Sequence, residues 1–168
     1  EVSAVRVINW VLAGSLFAGE PERLKSLMRQ ARHLKRSAIH SYTDLDHIRT
    51  GAALMLAGAT LETDSLRQAG QKILEAELPR QIFTDGGHCS RSPSAAAEIL
   101  TLLTLIDTAE AHANRETPEV ISRAMDRMAP IVRFFRLGDG GLASFQGGGE
   151  GDRRALDLIL SARDTGSK

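Results

Sequence analysis

The spacing of apolar residues along the chain predicts one helix after another. Over 2–17, "VSAVRVINWVLAGSLF", Val5, Ile8, Leu12 and Leu16 recur at helical intervals; Gly14 weakens the pattern and Gly19 stops it. Residues 21–39 open on Pro21 and carry a stripe of Leu24, Leu27, Met28, Ala31 and Leu34. Arg23, Lys25, Arg29, Arg32, Lys35 and Arg36 fill most of the remaining positions, which reads first as a solvated outer face. A polar turn, "HSYTD", leads to a third helix capped by Asp44, and its segment 51–61, "GAALMLAGATL", is small and apolar enough to be buried. A fourth helix starts near Asp64, with Pro79 expected to kink or loosen its end.

The fifth helix begins at Ser92 or Ser94 and is apolar almost all round from Ile99 to Ile106, so neighbours must enclose it. The sixth opens at Thr117 with Pro118 in the first helical position. Its stripe is Val120, Ile121, Ala124, Met128, Ile131, Val132 and Phe135, with Met125 and Met128 as core fillers. After a long Gly-rich loop, "LGDGGLASFQGGGEGD", the stretch "RRALDLILSA" forms the seventh. No run alternates as a strand would. The expected fold is all-α, about seven helices in an α/α-toroid-like array of antiparallel hairpins, short of a complete toroid. An internal echo supports hairpin repetition: "LPRQIFTDGGH" (78–88) is matched by "APIVRFFRLGDGGL" (129–142).

Composition narrows the function classes. The 168 residues suit one domain, and 42% apolar with 25% charged residues suits a packed core. Formal net charge is zero, so bulk charge gives no argument for nucleic-acid binding. No apolar run is long enough to span a bilayer. The single cysteine, Cys89, excludes an internal disulfide and leaves the compartment open. The first residue is Glu1 rather than Met, as expected of a processed or trimmed N-terminus. His33, His40 and His47 are spaced by seven, but the turn between them breaks their alignment; no metal and no cofactor are expected.

The densest chemistry is "TDGGHCSRSP", 84–93. Glycine and aspartate there serve to leave a helix and close a turn. His88 has two readings, an acid–base group or a structural hydrogen-bonding one. Arg91 has the planar fork that holds a carboxylate or sulfate. A thiol nucleophile at Cys89 lacks an evident third orienting group, and Gly147–Gly149 lack the Lys-Ser/Thr ending of a phosphate loop.

Taken together, "DGGHCSRSP", the apolar helix after it and "RMAPIVRFFRLGDGGLASFQGGG", with the earlier "RVINW" and "RQARHLKR", resemble the heparinase II/III-like family of bacterial polysaccharide lyases, in particular its alphaproteobacterial branch. The resemblance implies β-elimination on a uronic-acid glycan in a bacterial periplasm or cytoplasm. It implies an α-helical domain, whole or in part, over 1–168, without the β-sandwich that would follow. An acidic polysaccharide and that sandwich would be the partners, with self-association through exposed helix faces. His88 would neutralise the uronate or act as base, and Arg91, Asn9, Trp10, Gln81 and Gln146 would bind substrate. The chain departs from the family at Ser92-Pro93-Ser94, which Ala95-Ala96-Ala97 follow where an aromatic acid is expected; the only tyrosine, Tyr42, lies elsewhere. The alternatives are a non-catalytic acidic-glycan-binding domain or a structural helical-repeat domain.

Overall fold

The computed structural model describes residues 2–14, 20–38 and 44–165. Among them are seven helices: α1 (Val2–Leu12), α2 (Pro21–Ser37), α3 (Asp44–Thr60), α4 (Asp64–Gln81), α5 (Pro93–His112), α6 (Glu119–Phe134) and α7 (Arg153–Thr165). The only extended pairings among the described residues are two isolated antiparallel bridges, Ile82 with His88 and Arg136 with Leu142. The all-α class is therefore as expected. Leu16, Gly19, His40 and Tyr42 lie outside the described residues.

The chain forms two compact units: residues up to Glu77 with Leu105–Pro118, and Leu78–Thr104 with the residues from Glu119 onward. Helices α4 and α5 each contribute to both.

In the first unit α1, α2 and α3 pack on one another. Helix α3 is its centre, buried without a break from Thr50 to Gly58, as its small apolar sequence requires. The backbones of α3 and α4 touch. A Cβ on Gly70 would stand 2.4 Å from the Gly51 carbonyl oxygen, and one on Gly58 would stand 2.5 Å from Arg67 N. Only glycine permits that approach. Helix α3 ends where the Thr63 N–H donates to Gly58 O at 2.8 Å with Glu62 at φ 50°. Helix α5 ends in the same way, the Arg115 N–H donating to Glu110 O at 2.9 Å with Asn114 at φ 52°.

Two stripes shift from expectation. On α1 the buried residues are Ala4, Val7 and Ile8, whereas Val5 and Leu12 are exposed. Positions 4, 7 and 8 also have helical spacing, and packing on α2 and α3 selects that face. On α2, Leu27, Ala31 and Leu34 are buried while Leu24 is exposed.

In the second unit the core is Leu78 and Ile82 at the end of α4, Ala95–Ala97, Ile99, Leu100, Leu102 and Leu103 of α5, six residues of α6 including Met125 and Met128, and Leu156, Ile159 and Leu160 of α7. Helix α5 starts with Ser92 as cap: its carbonyl accepts from Ala96 N–H at 3.1 Å, and Pro93 fills the first helical position. Helix α6 begins at Glu119, so Pro118 precedes the helix instead of opening it. Helix α4 runs two residues beyond Pro79. Asp152 caps α7, its Oδ1 accepting from Arg154 N–H at 2.9 Å and Ala155 N–H at 3.2 Å.

Candidate functional site: two aspartate-glycine-glycine loops

The loop after α4 and the loop after α6 are one structure built twice. The Phe83 N–H donates to Gly87 O at 2.9 Å, and the Leu137 N–H to Gly141 O at 2.8 Å. Gly86 N–H reaches Phe83 O at 3.0 Å, and Gly140 N–H reaches Leu137 O at 2.9 Å. Cys89 N–H donates to Gln81 O at 2.8 Å, and Ala143 N–H to Phe135 O at 2.9 Å. Gly86 has φ 83° and Gly140 φ 87°, the left-handed region that favours glycine. Asp85 Oδ1 takes the Gly87 N–H at 2.9 Å, and Asp139 Oδ1 the Gly141 N–H at 3.0 Å. Every one of these pairs is 54 positions apart. An arginine closes each aspartate's second oxygen at 2.7 Å: Arg91 on Asp85, and Arg153 on Asp139 from the start of α7.

Within the first loop, His88 is 3% exposed. Its Nδ1 accepts from the Ser90 backbone N–H at 3.2 Å and lies 2.8 Å from Ser90 Oγ. A backbone N–H can only donate, so Nδ1 is the bare nitrogen and Nε2–H donates to Gln81 Oε1 at 3.0 Å. The imidazole is thus a neutral bridge between the end of α4 and the loop. Cys89 Sγ lies 3.5 Å from Nε2. In the second loop the place of His88 is taken by Leu142, 1% exposed, and that of Gln81 by Phe135.

Arg91 lies over the Phe83 ring, 4.6 Å from its centroid, with its guanidinium on Asp85. The Arg91 hydrogen bond, followed by the Gly87 N–H, holds the Asp85 carboxyl below the usual carboxylate range. Beside the loop is a hollow of about 130 Å³ lined in part by His88, Arg91, Ser92, Phe135 and Phe145. Pockets for drug-sized ligands run to roughly 300–1,000 Å³, and this hollow is smaller. Ala95–Ala97, where an aromatic acid was expected, are buried in the packing of α5.

Of the other sequence candidates, Gln81 meets His88. Gln146 is exposed in the second loop at φ 51°. Asn9 is exposed and Trp10 half-buried on α1, in the other unit. Among the described residues no cluster of three or more His, Cys, Asp or Glu is arranged to hold a metal, and His47 Nδ1 instead meets Glu77 Oε1 at 3.2 Å. Sequence reasoning missed Ser94: its Oγ donates to Gly149 O at 2.8 Å and accepts from Gly149 N–H at 2.9 Å, folding the glycine run onto α5. No spacing signal marks a contact across 55 residues.

A second feature lies in the first unit. Leu24 and Met28 of α2 and Leu61 floor an open groove of about 470 Å³, and Glu22, Lys25, Arg29 and Arg32 rim it. Lys25 is paired with Glu22 at 2.7 Å. Arg29 and Arg32 are exposed.

No family model and no solved structure matches the chain. A curated protein does: FtsZ-localized protein C of Caulobacter vibrioides (strain NA1000 / CB15N) is 37% identical over 145 residues. The alignment takes in 84% of this chain and 25% of that protein, so the chain spans about a quarter of its relative's length. This finding corrects the sequence reading. The similarity is to a protein named for localising with FtsZ, and nothing found points to heparinase II/III-like lyases. Polysaccharide β-elimination, glycan binding and an acidic polysaccharide partner fall with that resemblance. No described helix is long and apolar enough to cross a membrane.

Proposed function

We propose that this chain is a helical protein-interaction segment of a protein that localises with FtsZ. The observation that carries the proposal is its 37% identity with FtsZ-localized protein C across 145 residues. The site geometry supports the same direction. His88 and Arg91 direct polar groups to partners of the same loop and of the end of α4, and the hollow beside them is small for a ligand pocket. The α2 groove has the opposite character: it is open, apolar-floored and basic-rimmed, as a face that receives a protein segment is.

The test is a fluorescent fusion of the chain imaged with labelled FtsZ in a bacterial cell, paired with surface-immobilised binding of purified FtsZ. Coincident signals and saturable binding are expected. A uniform distribution together with no binding of purified FtsZ would remove the proposal.

A further inference from the structure

Positive charge is concentrated on α2. Residues 20–38 hold six lysines and arginines against two glutamates, in a chain with 21 charged residues of each sign. Both glutamates are already engaged: Glu20 pairs with Arg23 at 2.6 Å and Glu22 with Lys25 at 2.7 Å. Lys35 Nζ donates to Ser65 O at 3.0 Å. Arg29 and Arg32 are exposed and have no hydrogen-bond or ion-pair partner among the described residues. Lys25, Arg29, Arg32 and Arg36 recur at helical intervals, so they form one stripe along α2. Beside it lie Leu24 and Met28, which with Leu61 floor the groove. Leu24 is 48% exposed. From Leu24 to Arg32 the helix rises about 12 Å, so a short segment covers the groove.

An apolar floor edged by unneutralised guanidinium groups suits a segment that carries apolar side chains on one line and carboxylates on the next. The planar fork of arginine can take both oxygens of one carboxylate. A lipid surface is the weaker match. The main apolar face of α2, Leu27, Ala31 and Leu34, is buried in the packing on α1 and α3, whereas a membrane-surface helix sinks that face into the bilayer. Leu24 and Met28 are left in a groove, a shape that the side chains of a docked peptide enter.

We infer that the α2 groove takes a short acidic segment of FtsZ, with its apolar side chains on Leu24, Met28 and Leu61 and its carboxylates on Arg29 and Arg32. The inference rests on the FtsZ reading and adds to it the place and the chemistry of the contact. The apolar floor anchors the segment, and the two arginines set its register and speed its arrival.

The natural polypeptide containing these residues provides the test, titrated with purified FtsZ at low ionic strength. Arg29→Glu and Leu24→Asp each set a negative charge against the segment's carboxylates. Each is expected to weaken binding by about tenfold or more. Arg154→Glu makes the same charge reversal at an exposed position of α7 and should leave binding near that of the parent. A photo-cross-linking amino acid in place of Leu24 is expected to label one stretch of FtsZ in which Asp or Glu residues neighbour apolar ones. FtsZ binding that survives both Arg29→Glu and Leu24→Asp overturns the inference and leaves the FtsZ reading standing. Absence of FtsZ binding by the parent overturns both. Equal weakening by Arg154→Glu also overturns the inference. So does labelling of a basic stretch of FtsZ, of a second copy, or of lipid when anionic phospholipid vesicles are supplied.

Discussion

His88 and Leu142 fill the same buried position in two copies of one loop, the first as a hydrogen-bonded bridge and the second as hydrocarbon. The position needs a side chain of that size that leaves no polar group unpaired. His88→Ala is therefore expected to cost about 1–3 kcal/mol, since it strips Gln81 Oε1 of a donor in a buried site. The double variant His88→Leu with Gln81→Leu should recover part of that loss, because both partners become apolar together. Chemical denaturation of the three proteins measures it, and a double variant less stable than His88→Ala would refute the bridge.

Asp85 gives a pH prediction. Its carboxyl is held low first by Arg91 and then by the Gly87 N–H. A depressed folded-state pKa contributes stability that is present above the unfolded value and fades as pH falls through the folded one. The loop should thus loosen only on the acid side of the ordinary carboxylate range. Arg91→Ala should move the Asp85 titration upward when followed by carboxyl NMR. An unmoved titration would show that the ion pair is not formed in solution.

The glycine seam predicts steep losses in the first unit. Gly70→Ala puts a methyl 2.4 Å from the Gly51 carbonyl, where only a backbone shift can relieve it. A loss of about 1–3 kcal/mol or more is expected, the range of overpacked cores. Gly14→Ala, whose added Cβ meets nothing within 4 Å, is the matched control and should change stability little. Thermal melts of the pair decide it.

Glu110 is buried at 1% exposure, and Arg67 Nη1 lies 3.6 Å from its Oε2. Removing one partner of such a pair strands the other, at a cost of roughly 3–5 kcal/mol, whereas apolar replacement of both is often neutral. Arg67→Met should accordingly be far more damaging than Arg67→Met combined with Glu110→Leu. Equal losses in denaturant would mean that the charges do not sense each other.

The α2 groove predicts a charge-sensitive partner contact. If it receives a segment of the partner, Arg29→Glu with Arg32→Glu should alter FtsZ binding and its salt dependence while leaving the melting temperature near that of the parent. Binding curves at two ionic strengths give the answer. No change at either would place the contact elsewhere.

The helices are legible in the sequence because each buries a periodic face, and α3 reads as buried from "GAALMLAG" alone. The repeat is legible as well, because the turn forces Asp-Gly-Gly into both copies. What fails is the step from motif to chemistry. "DGGHCSRSP" reads alike whether His88 faces a substrate or ties Gln81 to Ser90, since the difference lies in burial and in a partner seven residues away. The burial of Glu110 and the Ser94 clamp are equally silent, being set by tertiary packing. The α1 stripe differs from expectation because two overlapping faces share the same period.

The repeated loop also bears on the order of folding. Its bonds join residues close in sequence: Phe83 to Gly87, Gln81 to Cys89, Asp85 to Arg91. Loops of about ten residues close in roughly 10–100 ns, whereas long-range pairing must wait for a larger loss of chain entropy. The local bonds of the two corners are therefore expected to close first, and the Ser94–Gly149 clamp, spanning 55 residues, to follow them.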